Sequence, residues 1–188
     1  MNKDYIVESQ RLGFRRWKES DKIPFAAMNA DPEVMKYFPN VLTREESDAL
    51  IDRFEKHFDE KGYGIWAVER KEDQAFIGFI GLLEVGFDVD FKGATEIGWR
   101  LDRSFWKNGY AAEGAEACLK YAFEVLKKNE VYSFTAVLNE PSEAVMRRIG
   151  MEKVKEFDHP KIAVESPLRR HVLYRSSLSK ETLLQSLQ

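Results

Sequence analysis

The chain has 188 residues, 44% of them hydrophobic and 32% charged, with a formal net charge of −3. That length buries a sizeable core in a single domain spanning residues 1–188, and the charge balance gives no basic footprint for nucleic acid or an anionic membrane. A lone cysteine excludes an internal disulfide. The apolar run 76–85 is short of the roughly 20 residues of a membrane span, and residues 1–5 lack a signal-peptide block, so a cytoplasmic location is expected.

In chain order, residues 10–17 alternate (Leu12, Phe14 and Arg16 against Gly13, Arg15 and Trp17) and predict a first strand. Ser20 is placed to cap a helix reaching Asn29, and Asp31-Pro32-Glu33 to restart it. Thr43 with Glu46 forms a capping box for a longer helix ending near Gly62, with Ala49, Leu50, Phe54 and Phe58 as its apolar stripe. Residues 64–70 and 75–84, joined by a polar turn, predict a hairpin, and 94–102 a third strand after the loop between Gly86 and Gly93. Strands in succession with short joints imply antiparallel pairing.

A helix follows from Gly109 to about Lys127, with Ala115, Cys118, Leu119 and Ala122 on its apolar face. Glu113 lies in its first turn and Lys127 and Lys128 in its last, as the helix dipole favours. Residues 131–138 read as a buried strand reached by a crossover, hence parallel to its neighbour. A short helix at 142–148 ends at Gly150, strands at 151–157 and 169–175 close the chain, and the residues after Ser176 read as a frayed helix. The sum is a mixed α+β sheet with helices on both faces.

The stretch from Glu96 to Ala112 carries the chemistry. It reads as a strand, a short loop and a helix start, so several backbone N–H groups and the positive end of a helix dipole converge on one point. That is an anion site suited to a phosphate of a bound cofactor. The bland alternative for Lys107-Asn108-Gly109 is a plain turn. Neither G-x-x-x-x-G-K-[ST] nor G-x-G-x-x-G after a strand is present.

Glu96-Ile97-Gly98-Trp99, the run Phe105 to Glu113, and Asn139-Glu140-Pro141-Ser142 continuing to Gly150-Met151 occur in that order, each on its expected element. Together they resemble the GNAT N-acetyltransferase superfamily, and within it the RimJ/RimL-like ribosomal-protein N-terminal acetyltransferases, over about residues 10–175. The resemblance implies a mostly antiparallel sheet of about seven strands with one splayed parallel pair. It implies acetyl-CoA as co-substrate and transfer of its acetyl group to a primary amine by direct attack in a ternary complex. Ile97, Gly98, Trp99, Arg100 and Leu101 would pair with the pantetheine arm as with an added strand. Trp106, Lys107, Asn108, Gly109, Tyr110 and Ala111 would cradle the pyrophosphate through their amides, with Gly109 allowing close approach. The family usually has Gln or Arg where this chain has Trp106. Because amides do the binding, little is lost by the change.

Amine acetylation needs a base for the amine, a donor for the developing oxyanion, and a proton for the leaving thiolate. Motif position makes Glu96 the candidate base, on one strand face with Gly98 and Arg100; the competing reading is an exposed, ion-paired glutamate. By resemblance Asn139 contacts the pantetheine arm and Ser142 approaches the CoA sulfur, each weighed against a helix-capping role. Many relatives place a tyrosine acid where Met146 stands, and methionine has no proton to give.

His171 is either a cleft residue or a structural one. His57 and His159 lack metal-ligand spacing, so no metal is expected. Cys118 reads as core. Trp17, Met35, Tyr37, Phe38, Tyr63 and Trp66 are candidates to line an acceptor cleft, and Asp88 and Asp90 to attract a cationic amine, against a core or solvated-loop role for each. The acceptor is left open among a peptide N-terminus, a polyamine, an amino acid and an aminoglycoside-like drug. So is the assembly, monomer or homodimer. The competing functional readings are a non-catalytic acyl-CoA sensor on the same fold and a plain interaction domain.

Overall fold

The computed structural model describes residues 5–177; the predicted frayed tail lies almost wholly outside them. One sheet of eight strands runs through these residues in the order β1-β2-β3-β4-β5-β6-β8-β7. Its strands are β1 (Val7–Glu8), β2 (Leu12–Arg15), β3 (Ile65–Arg70), β4 (Phe76–Glu84), β5 (Thr95–Leu101), β6 (Glu130–Ala136), β7 (Glu152–Asp158) and β8 (Arg170–Ser177). The helices are α1 (Lys22–Ala30), α2 (Arg44–Lys61), α3 (Tyr110–Glu124) and α4 (Glu140–Arg148). The expected first strand is β2, and β1 precedes it as a short strand outside residues 10–17, so the sheet gains a strand. Among the described residues no helix is long and apolar enough to cross a membrane.

Side chains alternate across the sheet and set its two larger core clusters on opposite faces, with a third around Val85, Phe91 and Leu173. On one face Trp66, Val68, Ile77, Ile80 and Ile97 pack under Ala115, Cys118, Leu119 and Ala122 of α3. On the other, Ile65 and Phe79 pack under Phe25 and Met28 of α1 and Ile51 and Phe54 of α2.

Several boundaries follow local chemistry. The Thr43–Glu46 capping box starts α2, and Gly62 ends it at φ 77°. The buried stripe of α2 runs through Ser47, Ile51 and Phe54, while Ala49 faces solvent. Ser20 does not cap α1; it sits within a 3₁₀ turn, Glu19–Asp21, that leads into the helix. The expected restart at Asp31 does not occur. Asp31 Oδ1 accepts from the Glu33 amide, and the segment closes two isolated turns, Met35 N to Asp31 O and Phe38 N to Met35 O, without forming a helix. Helix α3 stops at Glu124, short of Lys127, which takes a left-handed conformation at φ 55°.

The crossover prediction holds, since β6 runs parallel to β5, but the two strands are matched only at Glu96 opposite Tyr132. By contrast, β4 and β5 are matched continuously from Gly78–Leu101 to Glu84–Thr95. Beyond Glu96 and Tyr132 the parallel pair opens into a gap, and β8 inserts between β6 and β7.

Candidate active site

The gap has a free backbone edge. The Asp102 amide donates to Ile77 O on β4, so by alternation the backbone groups of Ile97, Trp99 and Leu101 face away from β4, toward the gap. Two of their carbonyls are taken. Ser133 Oγ donates to Ile97 O at 3.0 Å, and the Trp106 indole Nε1 donates to Leu101 O at 2.8 Å. The open edge therefore centres on the amide and carbonyl of Trp99 and the amide of Leu101, while the backbone of Gly98 and Arg100 faces β4. The Trp106 indole ties the loop to the end of the strand, a role that sequence reasoning missed.

The loop after β5 is wound to point amides outward. Lys107 and Gly109 both take left-handed conformations, at φ 62° and 80°. Asn108 Nδ2 folds back onto the carbonyls of Phe105 and Trp106 at 3.2 and 3.0 Å. Gly109 is the N-cap of α3 and supplies no side-chain cap. The first amide of α3 with a protein acceptor is that of Glu113, which donates to Gly109 O. Among the described residues the amides of Lys107 to Ala112 meet no acceptor, which is the nest expected of an anion site. Arg11 braces it from outside, donating from Nη2 to Asn108 O and from Nε to Glu113 Oε2.

The opposite face of β5 carries Glu96, Gly98 and Arg100. Glu96 is half-buried at the floor of the gap, and its carboxyl makes no hydrogen bond or ion pair among the described residues. Surrounding protein strips its hydration, and this desolvation pushes its carboxyl up to about 8. It is therefore not the ion-paired glutamate of the competing reading. A Cβ built on Gly98 would meet only Glu96 Oε1, at 3.9 Å, so the strand is bare beside the carboxyl.

Arg100 turns toward α1. Its Nη1 donates to Asn29 Oδ1 at 2.6 Å, and its guanidinium lies 4.1 Å from the Phe38 ring centroid. Asn29 is fully buried and oriented by donating Nδ2 to Ser47 Oγ at 2.8 Å. Asn29 and Ser47 carried no signal in the sequence; only the alternation of β5 pointed Arg100 to this face.

On the far bank, Tyr132 and Phe134 share this sheet face with Glu96. Phe134, Phe157, His159 and His171 form a ring cluster in which the two imidazoles lie 4.9 Å apart between centroids. Burial holds both below the usual histidine range, His159 at about 4 with His171 and Lys161 adding to the effect. His171 Nδ1 lies 3.1 Å from the Arg169 carbonyl, which fixes that nitrogen as the donor. His57 bridges the Tyr63 carbonyl and the Glu84 amide, remote from the gap.

At the start of α4, Asn139 is the N-cap. Its Oδ1 accepts from the Ser142 amide and its Nδ2 donates to Thr135 Oγ1. Ser142 is therefore not the cap, and its hydroxyl has no partner among the described residues. Met146 is core, as are Cys118 and Trp66. Asp90 pairs with Lys155, so its charge is already matched. Of the aromatic candidates for the cleft, Phe38 reaches Arg100, while Trp17 packs with Phe25, Phe54 and Phe76 in the core under α1 and α2.

A model of the acetyltransferase (GNAT) domain matches residues 11–152. An FsC-acetyl coenzyme A-N(2)-transacetylase of Aspergillus fumigatus is 31% identical over 159 residues, covering 79% of this chain and 67% of its own. The structure of an acetyltransferase (GNAT family) from Bacillus anthracis superimposes with a TM-score of 0.74 at 25% identity, over 91% of this chain and 97% of that one. The ribosomal L7/L12 α-N-protein acetyltransferase RimL, solved with coenzyme A, shares the fold at a TM-score of 0.73 and 16% identity, over 90% and 96% of the two chains.

Proposed function

This chain belongs to the GNAT acetyltransferase family, whose acetyl donor is acetyl-CoA, and we propose that it moves that acetyl group to a primary amine by direct attack while both substrates are bound. The observation that carries the proposal is the half-buried, desolvated and unpartnered carboxyl of Glu96 at the floor of the gap between β5 and β6.

The residues fit the donor. The unaccepted amides of Lys107 to Ala112 suit a diphosphate, and the open backbone of Trp99 and Leu101 suits an amide-bearing arm lying as an added strand. The donor brings an activated acetyl thioester; the rest of the chemistry falls to the protein. Glu96, with a carboxyl raised toward neutrality, takes the proton an ammonium must lose, directly or through one water. A backbone amide on the open edge of β5 stabilises charge developing on the thioester oxygen. Ser142, with a free hydroxyl at the first turn of α4, is the candidate to hydrogen-bond the departing sulfur, since Met146 has no proton to offer.

Thiol release from acetyl-CoA, followed across a panel of primary amines and peptides, tests the proposal. At least one amine is expected to release thiol stoichiometrically with N-acetyl product. Varying both substrates should give intersecting double-reciprocal lines. Tight acetyl-CoA binding with no thiol release from any amine would overturn the reading, and parallel lines would overturn direct attack.

A further inference from the structure

The cationic side chains of the buried core separate into two kinds. Arg15 is buried with full compensation, its Nε on Glu69 at 2.5 Å and its two terminal nitrogens on Asp21 at 2.7 and 2.8 Å. Arg100 is partly buried and largely desolvated at its guanidinium, but its single hydrogen-bond partner is the neutral amide of Asn29. Its Nε is buried without any partner, and among the described residues no carboxylate pairs with it. The acid nearest in the chain to Asn29, Asp31, is engaged with Arg103. Desolvation alone acts on the guanidinium and lowers its pKa to about 10. A buried charge and an unmade hydrogen bond are each costly, and here only the faces of Phe38 and Phe79 and one neutral amide offset them.

The side chain is also held still. Asn29 is fixed by Ser47 and by the Leu42 amide on its carbonyl, and Phe38 and Phe79 flank the guanidinium at 4.1 and 5.3 Å. With Nη1 committed to Asn29, the Nε–Nη2 edge is unpartnered; it has the spacing that takes a carboxylate through two parallel hydrogen bonds once the ring of Phe38 swings aside from the shielded Nε. It lies on the same strand face as Glu96, separated from it by the bare backbone of Gly98. The phosphate-type nest of the loop serves the other end of the gap, at the start of α3.

We propose that Arg100 selects the acceptor, and that the amine acetylated here carries a carboxylate which docks on the free edge of the guanidinium while its amino group lies toward Glu96. The inference rests on the amine-acetylation reading and narrows it to amino acids and short amino-carboxylates. A polyamine, having no anion to offer, would leave the guanidinium uncompensated.

The test uses matched pairs: α-amino acids, ω-amino acids of increasing chain length and dipeptides, each against its own carboxamide, with thiol release as readout. The wild-type protein should prefer the acid of the best pair by at least about 10-fold in kcat/KM, and Arg100→Gln should cut turnover of that acid by about 10- to 100-fold, mainly through KM, collapsing the preference toward unity. The affinity for acetyl-CoA should not change. On the unmodified protein, the ¹⁵Nε–H resonance of Arg100 should shift on titration with the acid and stay in place with the carboxamide, which decides the question even if Arg100→Gln fails to fold. Equal turnover of acids and carboxamides, or a preference that survives Arg100→Gln, overturns the inference and leaves amine acetylation standing. Silence from every amine in a protein that binds acetyl-CoA overturns both.

Discussion

The two surfaces of β5 to which the proposed function gives donor and acceptor are made of different materials. At its C-terminal end and on through the loop into α3, what is presented is main chain: the open edge at Trp99 and Leu101 and the unaccepted amides of Lys107 to Ala112. On the face toward α1, what is presented is side chain: Glu96, Arg100 and the ring of Phe38, spaced by Gly98. A main-chain surface suits groups shared by every molecule of donor, with few side chains such as Trp106 needed to hold it in place. A side-chain surface can be redrawn one residue at a time, which suits the acceptor half of an enzyme whose relatives differ in what they acetylate.

The comparison breaks most sharply at Glu96. Glu96→Gln should lower kcat by about 100-fold or more at neutral pH while acetyl-CoA affinity, read by calorimetry, stays as it was. In the wild type kcat/KM should rise with pH through about 8 as the carboxyl loses its proton, and the variant should lose that rise. An unchanged rate would remove Glu96 from the chemistry. Next in size is the main-chain side. A Cβ at Gly109 meets nothing closer than Arg11 Nη2 at 3.6 Å, so space within the protein is not the obstacle. The obstacles are a φ of 80° and the approach of a diphosphate. Gly109→Val should therefore weaken acetyl-CoA binding by about 10-fold or more, against a strain cost of about 1–3 kcal/mol in the free protein.

A smaller effect is expected at Trp106. Trp106→Phe keeps an aromatic ring and removes the bond to Leu101 O, a loss of about 1 kcal/mol seen as a lower Tm, with a few-fold rise in the acetyl-CoA Kd. Arg or Gln at this position, which can still donate, should restore more of the affinity than Phe. The pH dependence of stability gives a separate check. Folding raises the Glu96 carboxyl from 4.5 to about 8, so the folded state holds a proton that the unfolded state has released. This group's contribution to stability accordingly falls as pH climbs from about 4.5 through about 8. Denaturant midpoints of wild type and Glu96→Gln should diverge over that range, with the variant the flatter of the two.

What the sequence disclosed follows the same division. The capping box of α2, Gly62, the hairpin and the loop into α3 were legible because caps, turns and amide nests need particular residues at fixed spacing. The parallel pair was legible from the crossover helix, although its narrow match at Glu96 and Tyr132 was implied only by resemblance. The Asp31 segment was misjudged because the same Asp-Pro-Glu pattern that caps a helix also closes an isolated turn, and tertiary packing decides between them. The environment of Arg100 was not legible. Asn29, Phe38, Ser47 and Phe79 meet it from four separate stretches of chain, with no local spacing to announce the meeting. The Trp106 indole was hidden differently, since a side chain that supports a backbone site looks dispensable when only the amides are considered.

An amide-resolved NMR titration with acetyl-CoA is decisive, because the proposed donor surface consists of individual N–H groups. The largest shifts are expected at Lys107 to Ala112 and at the amides of Trp99 and Leu101, with the α1 face of β5 little moved until an acceptor is added. Shifts concentrated elsewhere, with the amides of Lys107 to Ala112 unmoved at saturating acetyl-CoA, would contradict it.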